Sequence, residues 1–417
     1  MDMRTDSELR SAVARAIRET PLTDIHTHLY PPNFGGLLLR GVDDLLTYHY
    51  LAAETLRCAA VPPSRFWAMP KREQGDLVWR TLFIERSPLS EAARGVLTTL
   101  KLHGLDPNSR DLTAWRRHFE SLDARAHTDI VFNAANVKTV IMTNDPFDHA
   151  ERELWLKQGN SDRRFRADLR IDCLLNDWPA AQRTLQILGY AVSAEPDAAT
   201  SAEVHRFLTE WATRLDALYL AASLEPAFRM PDAGTRGRLI AECVLPVCRE
   251  LGLPLAMMIG VNRQANPALR MAGDSLGKAD IRSVEYLCSN FPDNKFLVTM
   301  LSRENQHELC VAARKFRNLL IFGCWWFLNT PSMIEEITAM RLELLGTGFV
   351  PQHSDARVLD QLLYKWEHSR AVIADVLCRK YRGLLDTGWR INDDDIRRDA
   401  ARLLGGEFWS FIGRNQD

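Results

Sequence analysis

Two histidines one residue apart, His26 and His28 in LTDIHTHL (22–29), are the chemical signal from which the chain is best read. On an extended strand, residues two apart share a side, so both imidazoles face one point. Neutral imidazoles that converge in this way suit zinc or a similar divalent ion. Asp24, two residues earlier, falls on the same side. Far along the chain, HSDAR (353–357) ends another apolar run with Asp355. That carboxylate could be a third ligand, a base beside the metal, or both in turn; it could equally cap the helix expected from Val358. Three arginines end or follow apolar runs: Arg357, Arg170 and Arg303. A guanidinium there suits a bidentate contact with a carboxylate or phosphate, although each also has the simpler reading of a surface salt bridge. His49 and Tyr50 in LLTYHYL read by spacing as core or edge residues. Asn144, Asp145 and Asp148 in TNDPFD also make a good turn sequence, and Trp325 and Trp326 in FGCWWF could simply cover a site.

The elements that must position these residues are short. Apolar runs recur at 22–29, 137–143, 165–171, 217–223, 254–261, 295–301, 319–325 and 348–354. Near-continuous apolar runs of this length suit strands of a parallel sheet buried on both faces. Helix-length segments separate most of them, such as 201–215 and 236–251, with Gly252 where a C-cap is expected. Eight strands alternating with helices imply an α/β fold, a closed (β/α)8 TIM barrel. An open doubly wound sheet would carry a glycine-rich turn after its first strand, and HTHLYPPNFGG contains no GxGxxG. Barrel enzymes place their sites at the C-terminal strand ends, and in a closed barrel the eighth strand adjoins the first, which lets Asp355 reach the point faced by His26 and His28.

The 417 residues exceed the roughly 250 of a plain barrel. The surplus falls in two places. The chain divides into an N-terminal segment with the first strand (1–30), a helical insertion (31–136), the rest of the barrel (137–357) and C-terminal helices (358–417), the last with breaks near Gly383 and Gly388. A net charge of -2 argues against nucleic acid or a membrane surface as a partner held by bulk charge. The 8 Cys form no CxxC pair and lie mostly in apolar runs, as reduced thiols of a cytoplasmic protein would. No signal peptide is legible, and no apolar run reaches the roughly 18 residues of a membrane span.

At HTH, TYHY, TNDPFD, FGCWWF and HSDAR the sequence resembles uronate isomerase, the glucuronate isomerase group of the amidohydrolase superfamily, and the likeness runs from about Asp24 to the GRN near the C-terminus. The resemblance implies that His26, His28 and Asp355 ligate one divalent metal, usually zinc, with Asp355 also a proton carrier. It implies that Arg170 and Arg357 hold a sugar acid, and that His49 and Tyr50 reach over the mouth to the substrate. The activity implied is D-glucuronate to D-fructuronate, with D-galacturonate to D-tagaturonate a second candidate, through an enediol(ate), Asp355, Tyr50, His49 and Arg357 being the catalytic candidates. Many relatives carry a strand-five histidine where this chain has Met258, which can neither donate a hydrogen bond nor carry a proton. Strand four offers no Lys and strand six offers Thr299, Met300 and Leu301, so a single metal is expected. The alternatives are a mononuclear metal-dependent hydrolase of the same superfamily, with Asp355 and the metal activating water, and a binding protein that has lost the chemistry. A small-molecule uronic acid is the expected partner, in a homo-oligomer.

Overall fold

The computed structural model describes residues 5–415. The first helix, α1 (Asp6–Glu19), starts with a capping box of Thr5 and Glu8, and buries Leu9, Ala12, Val13, Ala16 and Ile17 on one face. It leads into β1 (Leu22–Thr27), buried along its whole length. Six more parallel strands follow: β2 (Val137–Asn144), β3 (Phe165–Arg170), β4 (Leu220–Leu224), β5 (Leu255–Ile259), β6 (Phe296–Met300) and β7 (Leu319–Ile321). They neighbour one another in chain order. Helices cover the outside. The interior is filled by Ile25, Ile141, Tyr219, Met258 and Leu297, and by Phe408 and Trp409 of the C-terminal segment. This double burial is why the strands read as unbroken apolar runs.

The barrel closes, but the eighth stave is not the regular strand expected at 348–354. One isolated bridge joins Phe322 and Val350. On that side Val350 N–H donates to the Ile321 carbonyl at 3.1 Å and Gly323 N–H to the Val350 carbonyl at 2.8 Å. On the other side Asp355 N–H donates to the His26 carbonyl at 3.1 Å, and His28 N–H to that of Ala356 at 2.7 Å. Between these points Pro351 has no N–H for a ladder. Side chains take over: Gln352 Oε1 accepts from Cys324 N–H at 2.9 Å, and Asp24 Oδ1 from Ser354 N–H at 3.0 Å. For the same reason the run at 319–325 is a strand only to Ile321. The run at 217–223 is regular strand only from Leu220, although Leu218 N–H already donates to the Ala167 carbonyl, and the expected strand at 254–261 is cut at Gly260.

Gly260 has φ 120, and a Cβ there would lie 3.1 Å from the Gly277 carbonyl and 3.2 Å from Leu301 Cβ. This glycine neck lets the chain leave β5 as a short antiparallel arm, Val261–Asn262 paired with Ser275–Leu276, which the sequence did not announce. The arm reaches the insertion, where Trp67 Nε1 donates to the Ala268 carbonyl at 2.9 Å.

The insertion between β1 and β2 is helical. Its main elements are α2 (His49–Cys58), α3 (Glu91–Leu102) and α4 (Ala124–Ala135), with shorter helices between them. They enclose an apolar cluster that includes Leu46, Phe66, Val78 and Trp115, and Val358 of the main chain joins it. The insertion is fastened at the foot of α5 (Gln361–Asp386), where Asp360 receives Nε2–H of His103 at 2.8 Å and of His127 at 2.6 Å, and Gly41 N–H at 2.7 Å. Helix α5 runs through Gly383 without the expected break; Gly388, with φ 85, lies just past its end. No described helix is long and apolar enough to cross a membrane.

Candidate active site at the mouth of the barrel

His26 and His28 leave the end of β1 and meet Asp355 from the eighth stave. Asp355 Oδ1 lies 3.5 Å from His26 Nε2 and 3.3 Å from His28 Nε2. That oxygen has no hydrogen-bond partner, so these are approaches without hydrogen-bond geometry. The spacing fits a cation. With ligand bonds of about 2.0–2.1 Å, the edge of a tetrahedron is about 3.3–3.4 Å. The ligand atoms all lie within 4.8 Å of one another. His26 Nδ1 is engaged by Thr143 Oγ1 at 3.1 Å, and that hydroxyl donates to Asp168 Oδ2 at 3.3 Å. A ring nitrogen tied down in this way orients the other toward a metal. Burial, and then the charge of Arg357, hold His28 well below the usual histidine range, which keeps its imidazole neutral, the form that a metal would need. Burial alone would raise Asp355, but its contacts with His26 and His28 hold it well below the carboxylate range. Asp355 also has φ 52, a left-handed conformation that a non-glycine residue adopts at a cost of about 1–3 kcal/mol.

Around these three stand the other expected residues. Arg357 Nη2 lies 3.3 Å from His28 Nε2. Arg170, at the end of β3, is paired with Asp172 at 2.6 Å and its Nε is unpartnered. His49 opens α2 with Tyr50 beside it, and the His49 ring is 5.5 Å from that of Trp326. The spacing had left these two as core residues; the fold brings His49 into the cavity shared by His26, His28, Arg170, Asp355 and Arg357. His49 Nε2, the Tyr50 hydroxyl and Trp326 Nε1 are buried without partners. Burial pushes His49 down to about 3 and Tyr50 well above the usual phenol range. Trp326 is more than a cover: φ 48 turns its ring into the mouth.

Other expectations are corrected. Arg303 is on the outside, mostly exposed and paired with Glu336 at 3.0 Å, because a 3-10 turn after β6 carries it away from the mouth. Asp24 does not join the histidines; its carboxylate is taken by Ser354 N–H and by Trp366 Nε1–H at 2.8 Å. Asp145 and Asp148 do turn and capping work, accepting the N–H of Phe147 and of Glu151. With Glu151 they also wall a side cavity of about 220 Å³ that shares His28, Arg170 and Arg357 with the mouth. Met258 is buried in the barrel interior, level with Ser223 and Thr299.

Several further residues at the mouth were not singled out from the sequence. Arg263 comes in on the arm, 2.7 Å from Asp274 and 6.0 Å from the Trp326 ring. His353 is fully buried, both ring nitrogens unpartnered, its ring 5.3 Å from that of His26. It fits only because residue 323 is glycine, where a Cβ would lie 1.7 Å from His353 Nδ1. Thr143 and Asp168 could have been found from their places near strand ends; Lys365 lies in a helix and could not.

No protein-family model matches the chain, and no curated protein does. Among solved structures, a uronate isomerase from Thermotoga maritima superposes with TM-score 0.78 at 13% identity, covering 98% of this chain and 99% of that one. A glucuronate isomerase from Caulobacter crescentus gives 0.77 at 15%, covering 99% and 95%. Both show the shared fold. A uronate isomerase from Bacillus halodurans C-125 superposes with TM-score 0.98 and is 52% identical over 99% of this chain and 98% of its own. Likeness of that degree across both whole chains goes beyond fold, and this chain belongs to the uronate isomerase family.

Proposed function

We propose that this protein interconverts an aldose hexuronate and its ketose, D-glucuronate and D-fructuronate, at the C-terminal mouth of the barrel. The observation that carries the proposal is the meeting of His26, His28 and Asp355 beside Arg170 and Arg357, in a chain 52% identical to a uronate isomerase. The donor set, two imidazoles and a carboxylate, fits one divalent ion, and zinc suits it best. When bound, such an ion supplies stabilisation for negative charge on oxygen.

The reaction removes a proton from C2 and places one on O1, giving an enediol, then protonates C1 while O2 loses its proton. In our reading Arg170 and Arg357 seat the substrate carboxylate. Asp355, held ionised, accepts the C2 proton; Tyr50, held protonated, donates to the carbonyl oxygen. His49 stays neutral and contributes a hydrogen bond. Trp325 and Trp326 keep water from the mouth. The homo-oligomer and the cytoplasmic setting belong to the same proposal; eight free cysteines, six of them buried, support a reducing compartment.

The test is a keto-sugar assay of purified protein with D-glucuronate and D-galacturonate, before and after chelation. We expect a ketose of unchanged mass, lost on chelation and restored by zinc. Absence of ketose from both sugars with metal-loaded protein would sink the proposal. A product heavier by one water would favour the hydrolase alternative.

A further inference from the structure

We propose that Lys365 is a positioning residue: from behind the eighth stave, its ammonium holds the Ser354–Asp355 turn and sets the reach of the Asp355 carboxylate toward His26 and His28. The inference deepens, and rests on, the isomerase reading of the mouth.

Lys365 lies on α5, 4% exposed. Among the described residues it has no carboxylate within ion-pair distance, and its hydrogen bond goes to the Ser354 carbonyl. A buried ammonium without an ion pair is unfavourable, and an apolar residue of the same length would fill the space at less cost. Its surroundings supply a reason for the charge. The peptide between Ser354 and Asp355 is gripped at both edges. Its carbonyl accepts from Lys365 and from Asn329 Nδ2 at 3.2 Å, and its N–H donates to the His26 carbonyl at 3.1 Å. Next to it, Ser354 N–H is held by Asp24, whose other oxygen takes Trp366 Nε1–H, from the residue that follows Lys365. The grip falls on the peptide leading into Asp355, the ligand with φ 52. A conformation of this kind persists only where its surroundings over-determine it, and a charged donor makes the stronger hydrogen bond. Nζ also lies 5.8 Å from the centre of the Tyr50 ring, within cation–π reach. Lys365 therefore holds the peptide that leads into one group to which proton transfer is assigned and faces the ring of the other. Burial draws its ammonium down to about 8, with Asp355 and Asp24 as the opposing charges.

The experiment compares wild type, Lys365→Met and Lys365→Arg. It measures zinc affinity by chelator competition, thermal unfolding of the stripped protein, and kcat and KM for D-glucuronate. For Lys365→Met we expect zinc affinity to fall about tenfold or more and kcat to fall by up to about 100-fold, with KM within about threefold because the seat at Arg170 and Arg357 is untouched. Lys365→Arg, which keeps a charged donor, should recover a large part of both losses. Lys365→Met with zinc affinity and kcat within twofold of wild type would overturn the proposal. So would Lys365→Arg as impaired as Lys365→Met. Should Lys365→Met fail to fold, Lys365→Gln, a donor without charge, replaces it under the same criteria. Wild type that binds zinc but makes no ketose would defeat the isomerase reading, and zinc affinity would then judge Lys365 alone.

Discussion

Among the described residues, two groups of two histidines and one aspartate come together, largely buried, and their spacings differ by less than an ångström. At the mouth, His26 and His28 stand 3.5 and 3.3 Å from one oxygen of Asp355. At the foot of α5, His103 and His127 stand 2.8 and 2.6 Å from one oxygen of Asp360. The shorter distances are hydrogen bonds, and the second oxygen of Asp360 takes Gly41 N–H. Arg40 Nη1 lies 3.4 Å from the other ring nitrogen of His127. That group is a satisfied clasp between the insertion and the barrel. At the mouth Asp355 Oδ1 is unpartnered, and the two histidine nitrogens face it without hydrogen-bonding to it, an arrangement that suits a metal site. Residue types alone would nominate both groups as metal sites; separation and hydrogen-bond satisfaction tell them apart.

The largest test of this contrast exchanges the two carboxylates for amides. Asp355→Asn should lower turnover by about 10³-fold and weaken metal retention while the protein stays folded, read by steady-state assay and metal analysis. Asp360→Asn should leave one metal per chain but destabilise the protein by about 3 kcal/mol, read by urea unfolding, because it breaks a buried charged network. A metal count that drops in Asp360→Asn, or two ions per chain in wild type, would break the distinction.

A smaller effect concerns the anion seat. Arg170→Met should raise KM for the uronate about 100-fold, roughly 3 kcal/mol of lost charged hydrogen bonding, with the clasp and the melting temperature little changed.

Acid should act on the two regions differently. Asp360 has its folded pKa below its unfolded value despite burial, through the two imidazoles, so the clasp's contribution is present above the usual aspartate range and lost as pH falls through the folded value. His49 titrates near 3 when folded against about 6.5 unfolded, so between those values the unfolded chain binds more protons and stability falls as pH drops. His49→Gln should reduce that slope by up to about 1.4 kcal/mol per pH unit in stripped protein, measured by urea titration at several pH values. An unchanged slope would place the His49 titration elsewhere.

The smallest expected effect belongs to Arg303→Ala. Its exposed pair with Glu336 should be worth at most about 1 kcal/mol, with KM unaltered. A raised KM would restore Arg303 to the site.

Much of the site was legible because it is local. HxH on a strand converges by the two-residue period, and apolar runs between helical segments spell a parallel barrel. The strand-five residue Met258 was equally plain; the structure adds that its thioether is buried in the barrel interior. For Arg303 the simpler reading, a surface salt bridge, is the one that held; position after a strand does not say which way the following turn carries a side chain. Arg263 and Lys365 were passed over because an arm and a long helix bring them in from positions with no motif.

The amino-acid sequence alone determined the barrel, its helical insertion and the histidine pair, since strand period, burial and spacing act between near neighbours. Tertiary structure decided the rest: an eighth stave made by Gln352 and Asp24 side chains where Pro351 denies a ladder, the left-handed Asp355, and which His–His–Asp group is open to a metal. Those outcomes turn on differences of under one ångström between residues hundreds of positions apart, such as Asp24 and Ser354, separated by 330. Only the packed chain sets such distances.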